Sequence, residues 1–175
     1  MVLPITDVLL LLQRGYVDIG FMGGAQIDRF GNLNSSFIGD PARPKIRLPG
    51  TGGGNDISSL TQMIVAMKHE KRRFVADVDF ITSPGYLHGG KSRAESGLSH
   101  GGMWRVVTDL AIMGFDETTR EMKVLALHAG VSRADVLANT GFPLSFDSDL
   151  ETTPPPRPDE LAVLRHLDPE RLYTA

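Results

Sequence analysis

The 175-residue sequence contains no cysteine. Disulfides, thiolate nucleophiles and cysteine zinc ligands are thereby excluded together, and the chain suits a reducing compartment. It also lacks an excess of basic charge. Eighteen Lys and Arg stand against 21 Asp and Glu, a formal net charge of −3. The electrostatic footprint of a nucleic-acid-binding protein is therefore missing. No apolar run approaches the ~20 residues needed to span a bilayer. The opening MVLPITDVLLLL is apolar but has neither a basic flank nor a small-residue cleavage site, so it does not read as a secretion signal. The chain reads as cytoplasmic, with no membrane contact. His69-Glu70 starts like a zinc-binding helix, but position 73 is Arg rather than the second His, and no metal is expected.

What the sequence has in quantity is glycine, 19 residues, often paired or tripled. Such clusters mark turns and places where backbone comes close to something else. Hydrophobic residues at 41% and charged residues at 22% suit one ordinary globular core.

Hydrophobic periodicity predicts the elements in order. Residues 5–14 suit a short helix capped by Thr6 or Asp7 and ended by Gly15. Residues 16–24 alternate like a strand. Residues 25–39 read as two strands around a turn at Phe30-Gly31-Asn32. Residues 41–50 form a proline-rich surface connection. Residues 56–68 look helical, with Asp56 or Ser58 as cap, and 72–84 contain a strand. A polar glycine-rich loop covers 85–102. Residues 104–116 and 121–130 read as two strands of a hairpin. A helix at 132–139 has Ser132 as N-cap with Asp135 three residues on. A proline-led linker then precedes an amphipathic helix from about Pro158. The sum is an α/β fold with an open mixed sheet flanked by helices.

Two constellations carry chemistry. Gly50-Thr51-Gly52-Gly53-Gly54-Asn55-Asp56 stands just ahead of an expected helix. Three glycines without Cβ atoms let their N–H groups, with those of the first helical turn, converge on one anionic oxygen. No Lys-Ser/Thr follows, so it is no P-loop, and it is not G-x-G-x-x-G. A tight strand-to-helix turn accounts for the same residues equally well. The second constellation, Gly23-Gly24-Ala25-Gln26-Ile27-Asp28 with Gly31-Asn32-Leu33-Asn34, is rich in amides that donate and accept. Such groups position ligands, and they also build ordinary turns.

Together these segments carry a resemblance. GGAQIDRFGNLN, GTGGGNDI, HEKRRFVADVDFITSPGY, RVVTDLAIM and LHAGVSRADVLANTGF occur in one order between about Gly15 and Tyr173. The chain resembles the β subunits of family I CoA transferases, those of the glutaconate CoA-transferase type in particular. The resemblance implies the CoA-transferase fold for residues 1–150, followed by a linker and C-terminal helix at 151–175. It implies CoA transfer between an acyl-CoA thioester and a carboxylic acid, with a CoA-transferase α subunit as partner in a hetero-oligomer. Coenzyme A is substrate there, and no permanently bound cofactor is expected. Gly52, Gly53 and Gly54 match the backbone oxyanion element. Gly24, Gln26, Asn34 and Asn55 match the substrate and CoA side of the site.

The family's catalytic glutamate sits in an E-S-G or similar motif on a strand upstream of GGAQID, and no such motif precedes Gly23 here. The first strands of the family's sheet are therefore expected to be absent, with the upstream half either missing or held on a separate chain. Glu95-Ser96-Gly97 has the right letters in the wrong place, a loop after ITSPGY, and reads as a solvated glutamate. A CoA-thioester ring-opening hydrolase of the same fold, and an inactive scaffolding subunit, stay open beside the transferase. The basic run after His69 suits either CoA phosphates or a solvated helix end. His88 and His100 fall in the glycine-rich loop, His128 reads as structural, and Trp104 as core or interface. Met63, Val65 and Met67, with Leu60 and Ile64, read as core.

Overall fold

Apolar alternation along the chain is satisfied by one central sheet and two small two-stranded ribbons. A computed structural model describes residues 2–172; Tyr173, the far end of the resemblance, lies outside them. In chain order the elements are α1 (Ile5–Gln13), β1 (Ile19–Met22), β2 (Gln26–Ile27), β3 (Leu33–Asn34), β4 (Phe37–Ile38), β5 (Ile46–Arg47), α2 (Gly54–Leu60) and β6 (Gln62–Ala66). They continue with α3 (Ser92–Glu95), β7 (Gly102–Val107), β8 (Ala111–Phe115), β9 (Met122–Leu127), α4 (Arg133–Ala138), β10 (Ser145–Thr152) and α5 (Pro158–Leu167). The sheet runs β1-β6-β7-β8-β9-β10. β6 is parallel to both β1 and β7, β8 is antiparallel to β7 and β9, and β10 is parallel to β9. The expected open mixed α/β sheet is thus observed.

The core lies where the sheet meets the loops that cross it. Met63 and Val65 on β6, Met103 and Val106 on β7, Met113 on β8 and Val124 on β9 are buried with Phe74, Ile27 and Leu33. Each fully buried side chain of this size contributes about 1.5–3 kcal/mol by removal from water.

Several expectations are corrected. The helix expected over 56–68 stops at Leu60, because Thr61 turns extended (φ −139°, ψ 166°). Its hydroxyl sits 3.0 Å from the Val17 carbonyl and 2.6 Å from that of Asp18, tying it to the chain entering β1. The next residues alternate Met63 and Val65 inward as a strand, a choice favoured by β-branched Ile64 and Val65. The helix is entered through Gly53 rather than capped by Asp56 or Ser58, and Pro4 rather than Thr6 or Asp7 precedes α1. Residues 72–84 make no strand, only isolated bridges of Phe74 with Ile27 and Ser83 with Leu33. Asp79 in that segment is held by side-chain bonds instead, accepting from Gln26 Nε2 and Gly39 N. The strand expected over 104–116 is two strands. Thr108 folds the chain between them, its hydroxyl accepting from Leu110 N (3.1 Å) and Ala111 N (3.0 Å). The loop over 85–102 contains α3, and the proline-rich connection carries β5, paired with β4. The hairpin of β8 and β9, the Ser132–Asp135 capping box of α4 and the helix starting at Pro158 are as expected. β10 crosses residue 150 and was not anticipated.

Candidate functional site

The glycine loop follows β5 and opens α2. Gly50, Gly52 and Gly53 have φ of 91°, 52° and 97°, the left-handed region that favours glycine. Gly54 N donates to Thr51 O (2.7 Å) and Asn55 N to Thr51 Oγ1 (2.7 Å), so Thr51 occupies both. Among the described residues, the N–H groups of Gly52 and Gly53 meet no protein acceptor. Gly52 is exposed and Gly53 half-buried. Gly54 is buried, and a Cβ there would stand 2.6 Å from Met22 Cε and 2.9 Å from Ser83 Oγ. Asn55 is exposed beside it on the first turn.

The amide block behaves differently. Gln26 and Asn34 face each other across the β2–β3 ribbon and are 5% and 0% exposed. Asn34 Nδ2 donates to Gln26 Oε1 (2.7 Å) and Phe37 O (2.6 Å). Its Oδ1 accepts from Ser36 N (2.9 Å) and lies 3.5 Å from the Thr82 hydroxyl. All four bonding positions of this amide are therefore engaged. Gln26 also bonds Asp79 from both ends of its amide, at 3.1 Å each. Gly24, next to this ribbon, offers its carbonyl to Arg73 Nη1 (3.3 Å).

The two constellations adjoin. Ser35, next to Asn34, holds Gly50 by two bonds, Gly50 N to Ser35 O (2.9 Å) and Ser35 Oγ to Gly50 O (2.8 Å). Thr82 accepts from Ser35 N (3.0 Å), and its neighbour Ser83 stands behind Gly54. Ser83 Oγ is buried without a hydrogen-bond partner. Ser35, Thr82 and Ser83 escaped sequence reasoning because common hydroxyls in loop sequence carry no distinctive pattern. ITSPGY was legible as a block, but not its contact with the loop.

The remaining candidates sort clearly. Glu95 ends α3 and is exposed. Arg93 on the same helix bonds Ser58 O near the C-terminal end of α2, so Glu95 belongs to the end of α2 opposite the glycine loop. His69 is not on a helix. Its ring is 4% exposed, stacked on Phe74 with centroids 4.1 Å apart, and lies between Thr108 Oγ1 (3.1 Å) and Thr140 Oγ1 (3.0 Å). Burial lowers its pKa to about 4, against a small opposing pull from Asp109. Arg72 and Arg73 both bond Glu70, so the basic run is internally paired rather than a helix end. His88 and His100 are exposed. His128 bridges Thr153 Oγ1 and Thr108 O at 2.8 Å each, a structural role. Trp104 is 39% exposed, so it is not core, and Arg105 lies 4.9 Å from its ring centre. Among the described residues no cluster of His, Asp or Glu could hold a metal ion, and no helix is long and apolar enough to cross a membrane.

Comparison with known proteins decides the family. The family model described as coenzyme A transferase matches residues 5–139. The chain belongs to the coenzyme A transferase family. It is 42% identical to the β subunit of 3-oxoadipate CoA-transferase from Pseudomonas knackmussii, over 90% of this chain and 61% of that protein. It is 42% identical to the β subunit of glutaconate CoA-transferase from Acidaminococcus fermentans, over 89% of this chain and 59% of that protein. The crystal structure of that glutaconate coenzyme A-transferase superposes with a TM-score of 0.91 at 37% identity, covering 100% of this chain and 70% of the matched chain. A cholesterol ring-cleaving hydrolase IpdB subunit from Rhodococcus jostii is 34% identical over 86% of this chain and 60% of its own length. The chain thus spans about three-fifths of the length of these curated relatives. Both family membership and the fold expected from the sequence are confirmed.

Proposed function

We propose that the chain is the glycine-loop portion of a CoA-transferase β subunit, moving CoA between an acyl-CoA thioester and a carboxylic acid together with an α-type partner. The observation that carries this is the pair of N–H groups on Gly52 and Gly53, on left-handed backbone and free of acceptors among the described residues. Acyl transfer passes through tetrahedral oxyanions, and two preorganised N–H donors stabilise such a charge as it forms. In this reading Gly52 and Gly53 donate the hydrogen bonds, while Gly54 lets the loop lie against Met22 and Ser83. Asn55 and Gly24 border the substrate and CoA. Gln26 and Asn34 hold that border in place, which suits their internal bonding. In this reading the attacking carboxylate is the family's upstream glutamate rather than Glu95, which is exposed at the end of α3.

Two features support a partner subunit. β1 is an edge strand carrying Phe21 at 74% exposure, and such an open edge is a template for association. α5 buries none of its residues and exposes Val163, Leu164 and Leu167. A cytoplasmic location follows from the CoA chemistry.

The test is an acyl-exchange assay on this chain assembled with an α-type partner and the β-type segment that carries the carboxylate. Exchange of CoA between a labelled acid and an acyl-CoA, lost on Gly53→Ala, is the expected result. Steady release of free CoA without an acceptor acid would favour thioester hydrolysis, and opening of a cyclic acyl-CoA by water with the thioester intact would favour the ring-opening reading, in line with the name of the 34% identical relative. No turnover of either kind from a well-folded assembly would leave the scaffolding reading.

A further inference from the structure

A buried cation organises the segment between residues 84 and 102. Arg93 is 5% exposed. Its Nη1 donates to Pro84 O (3.0 Å) and Gly85 O (2.8 Å), and its Nη2 to Ser58 O (2.7 Å) and His100 O (2.6 Å). The fifth N–H, on Nε, is buried without a partner. Among the described residues no carboxylate forms an ion pair with this side chain. Burial lowers its pKa, but a guanidinium stays charged at neutral pH. A buried cation balanced only by carbonyl dipoles leaves positive potential beside it.

Arg93 lines a cavity of about 220 Å³ together with Tyr86, Ser99, Gly101 and Arg120. Arg120 is half-buried and stacks its guanidinium 5.1 Å from the centre of the Tyr86 ring. It too makes no ion pair among the described residues. No Asp or Glu lines the cavity. Gly102 packs against both side chains, since a Cβ there would sit 3.4 Å from Arg93 Nε and 3.5 Å from the Tyr86 ring. The cavity is therefore lined by two guanidinium side chains and by no compensating acid.

We propose that this cavity binds a phosphoryl group, held by the guanidinium of Arg120 and by the buried positive charge of Arg93 beside it. A dianion balances both cations, whereas a single carboxylate leaves one unmatched, and planar guanidinium forks suit phosphate oxygens. Two sources share this chemistry, free phosphate and the phosphate monoester of a nucleotide such as CoA. Phosphate binding here is tested without acyl exchange, because the cavity shares no lining residue with the glycine loop.

The test is titration of the full chain with inorganic phosphate by calorimetry at fixed ionic strength, beside Arg120→Asn. Asn is the chosen replacement because residue 120 has a φ of 61°, which Asn tolerates. Phosphate stabilises proteins generally by exclusion from their surface, so the difference between the two chains is the readout. The expected result is at least a tenfold loss of phosphate affinity in Arg120→Asn. Ser99→Glu, which places an acid at the exposed rim, is expected to weaken binding in the same way and serves if the first variant folds poorly. Equal binding by wild type and variants, or no binding by wild type at millimolar phosphate, overturns the proposal. Competition then identifies the source. Displacement of phosphate by CoA but not by 3′-dephospho-CoA assigns the site to the nucleotide monoester, and failure of both to displace assigns it to free phosphate.

Discussion

The β2–β3 ribbon and the glycine loop are neighbours with opposite hydrogen-bond economies. In the ribbon, buried Asn34 has every polar position engaged within the protein. In the loop, Gly52 and Gly53 leave their N–H groups unengaged at the surface. Both regions are rich in polar groups, and both invite a ligand when only residue types are considered. The difference teaches that a polar group binds a ligand only if the fold leaves it unsatisfied and reachable. The ribbon builds the frame, and through Ser35 and Gly50 it fixes where the loop starts.

The largest expected effect comes from breaking the loop alone. Gly53→Ala places a Cβ at φ 97°, with no serious clash, since the nearest atom is Leu9 Cδ2 at 3.7 Å. The left-handed strain costs about 1–2 kcal/mol. If the loop then relaxes, its two donors turn away. Acyl exchange by the assembled enzyme should fall about 100- to 1,000-fold, the cost of removing an oxyanion donor. A loss of activity no larger than the loss of folded protein would make the loop a turn and nothing more.

The reverse variant breaks the ribbon. Asn34→Ala strands Phe37 O, Ser36 N and one lone pair of Gln26, each formerly bonded inside the protein. With about 1 kcal/mol or more for each buried group left unpaired, stability should fall by about 3 kcal/mol. A shift of the urea midpoint reads this directly. An unchanged midpoint together with a raised KM would instead make Asn34 a ligand-binding residue, and the contrast between the two regions would collapse.

Much of this was legible in the sequence and some was not. The glycine loop, the ribbon, the capping box at Ser132 and the proline-initiated α5 are written in local patterns that few other structures satisfy. The mixed sheet followed from the hairpin of β8 and β9. The split of residues 56–68 into helix and strand was not legible, because Leu60, Met63, Ile64 and Met67 fit a helical stripe as well as a strand. Tertiary bonding of Thr61 to Val17 and Asp18 decides it, and local propensity cannot anticipate that. The state of each site residue was equally hidden. Whether Gln26, Asn34 or Arg93 is saturated depends on distant partners, 35 residues away for Arg93 at Ser58 and 53 away for Gln26 at Asp79.

A third region sharpens the contrast between engaged and free polar groups by adding pH. His69 is kept neutral by burial between two hydroxyls. Thr140 Oγ1 donates to Val136 O (2.8 Å) and so accepts from Nε2–H. The Thr108 hydroxyl lies 3.1 Å from Nδ1 and also donates to Ala111 O at 3.1 Å. Burial holds the folded pKa at about 4, below the ordinary 6.5. Above pH 6.5 neither folded nor unfolded chain binds this proton, and the contribution to stability is whole. Between pH 6.5 and about 4 the unfolded chain gains a proton that the native ring refuses. Stability falls by about 1.4 kcal/mol per pH unit there, about 3 kcal/mol in all. His69→Gln should lower stability at about pH 7.5, above the whole window, yet flatten its decline across that window. A parallel decline in both proteins would assign the acid sensitivity to other groups.

The smallest effect probes the joint between the two regions. Thr51 Oγ1 accepts from Asn55 N at 2.7 Å on an exposed helix start, a capping bond of the kind worth about 1 kcal/mol. Thr51→Val removes that acceptor while the Thr51 carbonyl still receives Gly54 N. Stability should drop by about 1 kcal/mol or less. The freed Asn55 N–H becomes a third unengaged donor next to those of Gly52 and Gly53. If converging N–H groups are what the loop provides, acyl-exchange activity should survive this substitution within a few-fold. A loss as deep as that of Gly53→Ala would mean that the position of the loop, set by Thr51, matters more than the number of donors it leaves free.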